Sequence, residues 1–335
     1  QQTSIDIRQH DLLGILHYMR SITSGGFNFW NFNPWNMYYL FHQPLHFWLT
    51  GVLYIFSLNL DLSSAIALEC LQYLSLFYVT STIYVIYNIF RLISIPPYAA
   101  CIALIFIAFN PTFFLFSGYI SNDVPVLFWS VLTIYYLLQW YLSDTTSSII
   151  KASLCFGIGV LTKLSILIIC PVIATLFFHK LISATNRKDI ISKISLFIII
   201  SVPLSLVWII RNHVLFDMDF YNIPNTSPSG QNFLYMTFTD RLFNFDKITI
   251  PFLHAPTVDE SNPLLAIIKT ELFGEWNLSL NHQIIYIPAI LLYHLNIFIK
   301  ILSFAGGIYI LATAKKLRTD FLHLFFVILY FWVWA

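Results

Sequence analysis

The sequence predicts an all-α polytopic membrane protein, a bundle of transmembrane helices carrying extracytoplasmic loops. Three observations predict it. First, 58% of the 335 residues are hydrophobic and 10% are charged, against roughly 25% charged in an average soluble domain. A mean hydropathy of +0.74 is more apolar surface than a soluble fold can hide. Second, apolar runs recur along the whole chain, many near the length of about 20 residues that crosses a bilayer as a helix. In lipid, a spanning helix satisfies its own backbone hydrogen bonds. Third, the chain holds 32 Phe, 19 Tyr and 9 Trp, and many of the Trp and Tyr fall near the ends of apolar runs, where they anchor a helix at the membrane interface. The net charge of +1 gives no basis for a nucleic-acid partner, and none is expected.

Taken in order, the apolar segments lie at 44–60, 65–90, 97–116, 123–142, 149–162, 164–180, 194–211, 284–313 and 319–335. Cytoplasmic loops are enriched in Lys and Arg. That rule puts Arg91, the group Lys180, Arg187, Lys188 and Lys193, and the group Lys315, Lys316 and Arg318 on the inner face. The outer face then receives Ser117–Asp123, the turn at Thr162 and Lys163, and the long loop 212–283. With Arg91 inside, 65–90 enters from outside, so 44–60 is expected to be a juxtamembrane or re-entrant helix. Four regions follow: 1–62, a first extracytoplasmic loop with juxtamembrane helices; 63–211, a transmembrane core; 212–283, a large extracytoplasmic loop; and 284–335, C-terminal transmembrane helices. Within the long loop, residues 264–276 read as an amphipathic helix lying back on the membrane. The chain begins at Gln1 and stops inside an apolar run, so both ends are expected to be truncated. Cys70, Cys101, Cys155 and Cys170 sit inside apolar segments without disulfide or metal-type spacing and are expected to be core thiols.

The residues with chemical potential gather at the outer ends of these segments. Asp11 follows His10 and precedes Gly14, Leu16 and Tyr18. Trp30, Trp35, Tyr38 and Tyr39 come next, then His42-Gln43-Pro44, a rigid turn able to fold the segment back over Asp11. Asp123 ends a polar stretch and precedes Val124-Pro125. From the residues alone it reads as a helix N-cap, Asn122 or Asp123 ahead of Pro125 near the first turn. Lys163 lies between two apolar runs and either snorkels to the interface or meets a phosphate. Arg211, expected to end its helix on the outside against the usual charge bias, is a second phosphate candidate, with Arg8 and Arg20 weaker ones. His10, His17, His42 and His46 raise a zinc reading, helped by the four-residue spacing of the last pair, but no HExxH or paired cysteines accompany them. Glu271 and Glu275 lie on the segment KTELFGEW and either reach the site or face solvent.

The order of an acidic residue in the first outside loop, an HPP-like turn and a Ser…Asp loop resembles the GT-C membrane glycosyltransferases. More narrowly it is similar to the protein O-mannosyltransferase and aminoarabinose transferase branch and to bacterial relatives carrying HD..G.L.Y, HPPL, GLxTKxS, RN and KTxxFGEW. Here those motifs read His10-Asp11, Gly14, Leu16 and Tyr18; His42 to Leu45; Gly159 to Ser165; Arg211-Asn212; and Lys269 to Trp276. Gln43 stands where the first Pro is usual, and Ile15 where relatives often have His, which takes a polar group away from the expected site. The resemblance implies transfer of a sugar, with inversion, from a polyprenyl-phosphate-linked donor to a hydroxyl of a lipid, glycan or protein acceptor outside the membrane. Asp11 and Asp123 are the implied catalytic residues, and His10, Tyr18, His42, Lys163, Arg211 and Glu275 the implied substrate contacts. The resemblance implies a place for Asp123 beside the active site, holding Asp11, an acceptor or a metal. No residue is assigned as a metal ligand, although a divalent metal ion is compatible with the site. The competing classes are a transporter or flippase of a lipid-linked substrate, which would carry polar groups near the midplane, and a non-catalytic lipid-binding relative.

Overall fold

The computed structural model describes residues 12–26, 33–36, 42–218, 243–245, 248–252, 262–273 and 283–313. All regular structure among them is helical. The elements are α1 (Leu12–Ser24), a 3-10 turn (Pro34–Asn36), α2 (Leu45–Asn59), α3 (Ser64–Leu92), α4 (Pro97–Ala108), α5 (Pro111–Phe116), α6 (Asp123–Ser143) and α7 (Thr146–Thr162). A 3-10 segment (Leu164–Ile169) leads into α8 (Cys170–Ser183), followed by α9 (Arg187–Phe216), α10 (Pro263–Phe273) and α11 (Gln283–Thr313). Among the described residues four stretches are long and apolar enough to cross a membrane: Ser64–Leu92, Asp123–Ser143, Leu164–Ser183 and Arg187–Phe216. Only 17% of the most apolar window of the last is buried. Exposed Ile198, Ile199 and Val202 on α9, like Tyr73 and Phe77 on α3, form a surface suited to hydrocarbon rather than water.

The chain divides into two compact units, residues 1–109 with 113–228, and residues 110–112 with 229–335. In the first, contacts fix the direction of each helix. The Gln72 amide donates to the Gly118 carbonyl (2.9 Å) and the Ser75 hydroxyl to that of Tyr119, while Tyr78 meets Phe128 further along, so α3 and α6 run the same way. α7 returns antiparallel to α6, and Phe156 against Phe197 shows α9 running alongside α7. Asp123, Lys163 and the end of α9 therefore share one end of the unit. Arg91, Lys180 and Lys193 share the other, where Lys193 pairs with Asp144 (3.3 Å) and Asp189 (2.7 Å). α2, at 15 residues, is about 22 Å long. It packs on α1 and on the start of α3, with Phe47, Tyr18 and Leu71 in one apolar core.

Local chemistry sets the boundaries. Ser63 caps α3 through the Ile66 amide, Asn186 caps α9 through that of Asp189, and Asp144 and Asp217 in the left-handed region end α6 and α9. The apolar run expected over 97–116 is split after Ala108, because a residue before proline, here Asn110 ahead of Pro111, disfavours helix. The run expected at 164–180 begins as a 3-10 segment, and that at 194–211 extends over Arg187–Phe216, so Arg211 stands inside its helix rather than at its end. The cysteine expectation fails at Cys101, which is exposed on α4; Cys155 is buried, and Cys70 and Cys170 are partly so. The apolar run 319–335 and most of the loop 212–283 lie outside the described residues.

Two glycines let α7 approach its neighbours. A Cβ at Gly157 would stand 2.8 Å from the Leu204 Cβ of α9, and one at Gly159 would stand 3.0 Å from the Trp129 Cβ of α6. Small residues at such crossings allow close backbone packing in membranes. Gly157→Ala is expected to cost about 1–3 kcal/mol through overpacking, read as a lowered Tm of the purified protein in detergent.

In the second unit Asn262 accepts from the Leu265 amide (3.4 Å) at the start of α10, and Phe252 packs on Phe273 (4.9 Å). Glu271 is ion-paired to Lys300 of α11, so its carboxylate is tied between helices and does not lie on a solvated face. Lys269, in the motif that continues to Trp276, is 1% exposed.

Candidate active site

Asp123 opens α6 immediately after Asn122, whose side chain makes no capping hydrogen bond. Ser121 serves the helix start instead. Its Oγ accepts the Asp123 amide (3.1 Å), and its hydroxyl lies 3.1 Å from Asp123 Oδ2. The other carboxylate oxygen, Oδ1, accepts from Lys163 Nζ at 2.5 Å. Lys163 occupies the break between α7 and the 3-10 segment in an extended conformation (φ −162°, ψ 137°), its amide still bound to the Gly159 carbonyl at 2.9 Å. The backbone break turns the side chain off the axis of α7 and onto the start of α6. With side chains 23% and 44% exposed for Lys163 and Asp123, this charge-assisted pair remains open to a ligand.

The α1–α2 side is built around a buried phenol. Tyr18 is fully buried, stacks on Phe47 (ring centroids 4.1 Å apart) and donates to the His42 carbonyl at 2.9 Å. The turn at His42 to Pro44 is thereby fastened to α1. Burial raises the Tyr18 phenol well above its ordinary pKa, and the Arg211 charge opposes that shift. Gln43, in place of the usual proline, is 3% exposed, and Ile15 belongs to the apolar core. His46, in the first turn of α2 at the mouth of the bundle, is 2% exposed, and neither ring nitrogen meets a hydrogen-bond partner among the described residues. Burial lowers its pKa to about 4 against the opposing charge of Asp123, so the ring is neutral at physiological pH.

Arg211 is 3% exposed. Its guanidinium lies 4.5 Å from the Trp208 ring centroid and 4.4 Å from that of Phe216, and Nη1 donates to Asn212 Oδ1 at 2.6 Å. A planar cation held between two rings is a geometry that Arg supports and Lys does not. Trp35 Nε1 donates to the Phe216 carbonyl (2.9 Å), which joins the 3-10 turn to this end of α9.

Asp123, Lys163, Tyr18, His42 and Arg211 therefore converge at one end of the first unit, linked in pairs across five helices. His10, Asp11 and Glu275 lie outside the described residues. Sequence reasoning missed Ser121, and it missed the depth at which His46 sits. The pattern Ser-x-Asp was a signal for the first, since Ser two residues before Asp forms a local turn with its amide. Among the described residues no group of three His, Cys, Asp or Glu side chains is placed to hold a metal ion.

No curated protein and no solved structure matches this chain. Residues 70–220, which include Asp123, Lys163 and Arg211, match the family described as dolichyl-phosphate-mannose-protein mannosyltransferase. That domain belongs to the GT-C superfamily of membrane glycosyltransferases, and with the apolar helices that carry it the chain is an integral-membrane protein.

Proposed function

We propose that the protein transfers a sugar from a polyprenyl-phosphate-linked donor to a hydroxyl of a lipid, glycan or protein acceptor on the extracytoplasmic face, with inversion at the sugar carbon. The observation that carries this reading is the Asp123–Lys163 pair, an ammonium held at the mouth of the bundle where the phosphate of a membrane-borne donor arrives. An ammonium has three donors. One goes to Asp123, and among the described residues no acceptor takes the other two, which suit a phosphate.

In the reaction Asp11 takes the proton of the acceptor hydroxyl as its oxygen bonds to the anomeric carbon. The bond from that carbon to the phosphate oxygen breaks, and the polyprenyl phosphate departs with the electron pair. Lys163 hydrogen-bonds the developing charge, and Arg211 adds positive potential from its aromatic clamp. Asp123 holds Lys163 in place. Tyr18 acts through the His42 carbonyl that it fastens, and His10, His42 and Glu275 contact the substrates. A single base opposite the leaving group leads to inversion.

The test is incubation of the full-length protein in membranes with labelled polyprenyl-phosphate sugars, mannose first, with the anomer of the product determined by NMR. Transfer with the opposite anomeric configuration is expected. Use of nucleotide sugars alone, or movement of intact donor across the bilayer without transfer, would overturn the reading. The orientation has its own check. A cysteine introduced by Ser229→Cys is expected to react with an impermeant thiol reagent from outside, and one introduced by Asn186→Cys is not. The reverse pattern would put the pair on the wrong face.

A further inference from the structure

Between the second half of α3 and α4 lies a groove of about 540 Å³. Its walls are apolar, with Ile83, Ala100, Leu104 and Ile105 among them, and Arg91 stands at one end. Ile105 is 52% exposed and Phe109, at the far end, 78%. The Arg91 guanidinium lies 5.8 Å from the Tyr87 ring centroid, and the residue is exposed. From Pro97 to Phe109 the groove follows about 18 Å of α4 at the helical rise, close to the depth of one leaflet of a hydrocarbon core of about 30 Å.

We propose that this groove binds an anionic glycerophospholipid, with the phosphate on Arg91 and one acyl chain along α3 and α4. Charge complementarity selects the head group: among the described residues that line the groove Arg91 is the one cation, and it stands at the end where a head group would lie. Length selects the chain, since the apolar part is one leaflet deep. Position separates this lipid from the sugar donor. Arg91 stands roughly 24 Å further along α3 than Ser75, which is bonded at the level of Tyr119 near the start of α6. A phosphate on Arg91 is thus at the opposite membrane face from Lys163. Arginine on the face rich in basic residues suits the anionic lipids of the cytoplasmic leaflet. The inference is independent of the transfer reaction, because its readout is binding.

The experiment is native mass spectrometry of the purified full chain with phosphatidylglycerol, phosphatidylcholine and polyprenyl phosphate, the two phospholipids carrying identical acyl chains. The wild type is expected to retain phosphatidylglycerol over phosphatidylcholine by at least about tenfold, because the choline cation of the second offsets the phosphate charge that meets Arg91 while glycerol leaves it unopposed. Arg91→Gln is expected to bring that preference below about twofold, and Arg91→Lys to keep most of it. Cys101→Trp, which fills the groove and leaves the charge, is expected to lower retention of both phospholipids. Equal retention of the two phospholipids by the wild type overturns the proposal, as does an unchanged preference in Arg91→Gln. Displacement of phosphatidylglycerol by equimolar polyprenyl phosphate would make the groove part of the donor's path and equally overturn it.

Discussion

Asp11→Asn is expected to lower sugar transfer by about 10²- to 10⁴-fold, the usual worth of a general base, with little change in expression or Tm. The amide keeps the shape of the carboxylate and removes its ability to take a proton. Folding is expected to survive because α1 is anchored by residues beyond Asp11: Leu12, Tyr18 and Met19 are each at most 5% exposed and pack against α2 and α3. The measurement is the initial rate with labelled donor at saturating acceptor, beside thermal unfolding of the same preparation. Asp11→Glu, which keeps the base on a longer arm, is expected to fall between wild type and Asp11→Asn. Activity of Asp11→Asn above about a tenth of wild type would remove Asp11 as the base and shift attention to the carboxylate of Asp123.

Lys163→Ala is expected to reduce kcat/KM for the donor by at least about tenfold while the KM for acceptor changes little. The argument is geometric. The Lys163 ammonium is pinned to Asp123 Oδ1 at 2.5 Å, and its removal takes away the phosphate contact and leaves the Asp123 carboxylate repelling an arriving anion. Charge-assisted hydrogen bonds are roughly twice as strong as neutral ones, so the donor term should dominate. A lysine that merely snorkelled would be truncated with little effect on donor kinetics. Asp123→Asn separates the two parts of the pair, because it keeps the ammonium but loosens its aim; a fall in kcat with a smaller change in donor KM is expected. Steady-state kinetics with donor and acceptor varied separately reads both variants. Donor parameters within about twofold of wild type in Lys163→Ala, under about 0.5 kcal/mol, would make the pair a structural clasp and place the phosphate elsewhere. Arg211→Ala combines a kinetic loss with a stability loss, since it empties the space between Trp208 and Phe216.

The sequence by itself determined the solvent and the secondary structure. Composition rules out an aqueous surface, and helices such as Ser64–Leu92 and Asp123–Ser143 follow from apolar runs and their polar boundaries, both local properties of the chain. The break at Asn110-Pro111 was equally local, but runs of apolar residues hide it, because hydropathy averages over a dihedral constraint. Only the tertiary structure decided the pairing of Asp123 with Lys163. The two are 40 residues apart, and their meeting depends on α6 and α7 closing over Gly159, whose missing side chain leaves room for the Trp129 and Ile166 side chains. Arg211 likewise reads in the sequence as a cation at the outer end of its helix. The structure buries it between two rings because α9 runs on to Phe216, bringing an aromatic to each side. His46 passes as an interfacial histidine until the packing of the helices buries it to 2% exposure. Helix formation is set by neighbours a turn away, whereas the charge and burial of a site are set by residues that the chain brings together only when its helices pack.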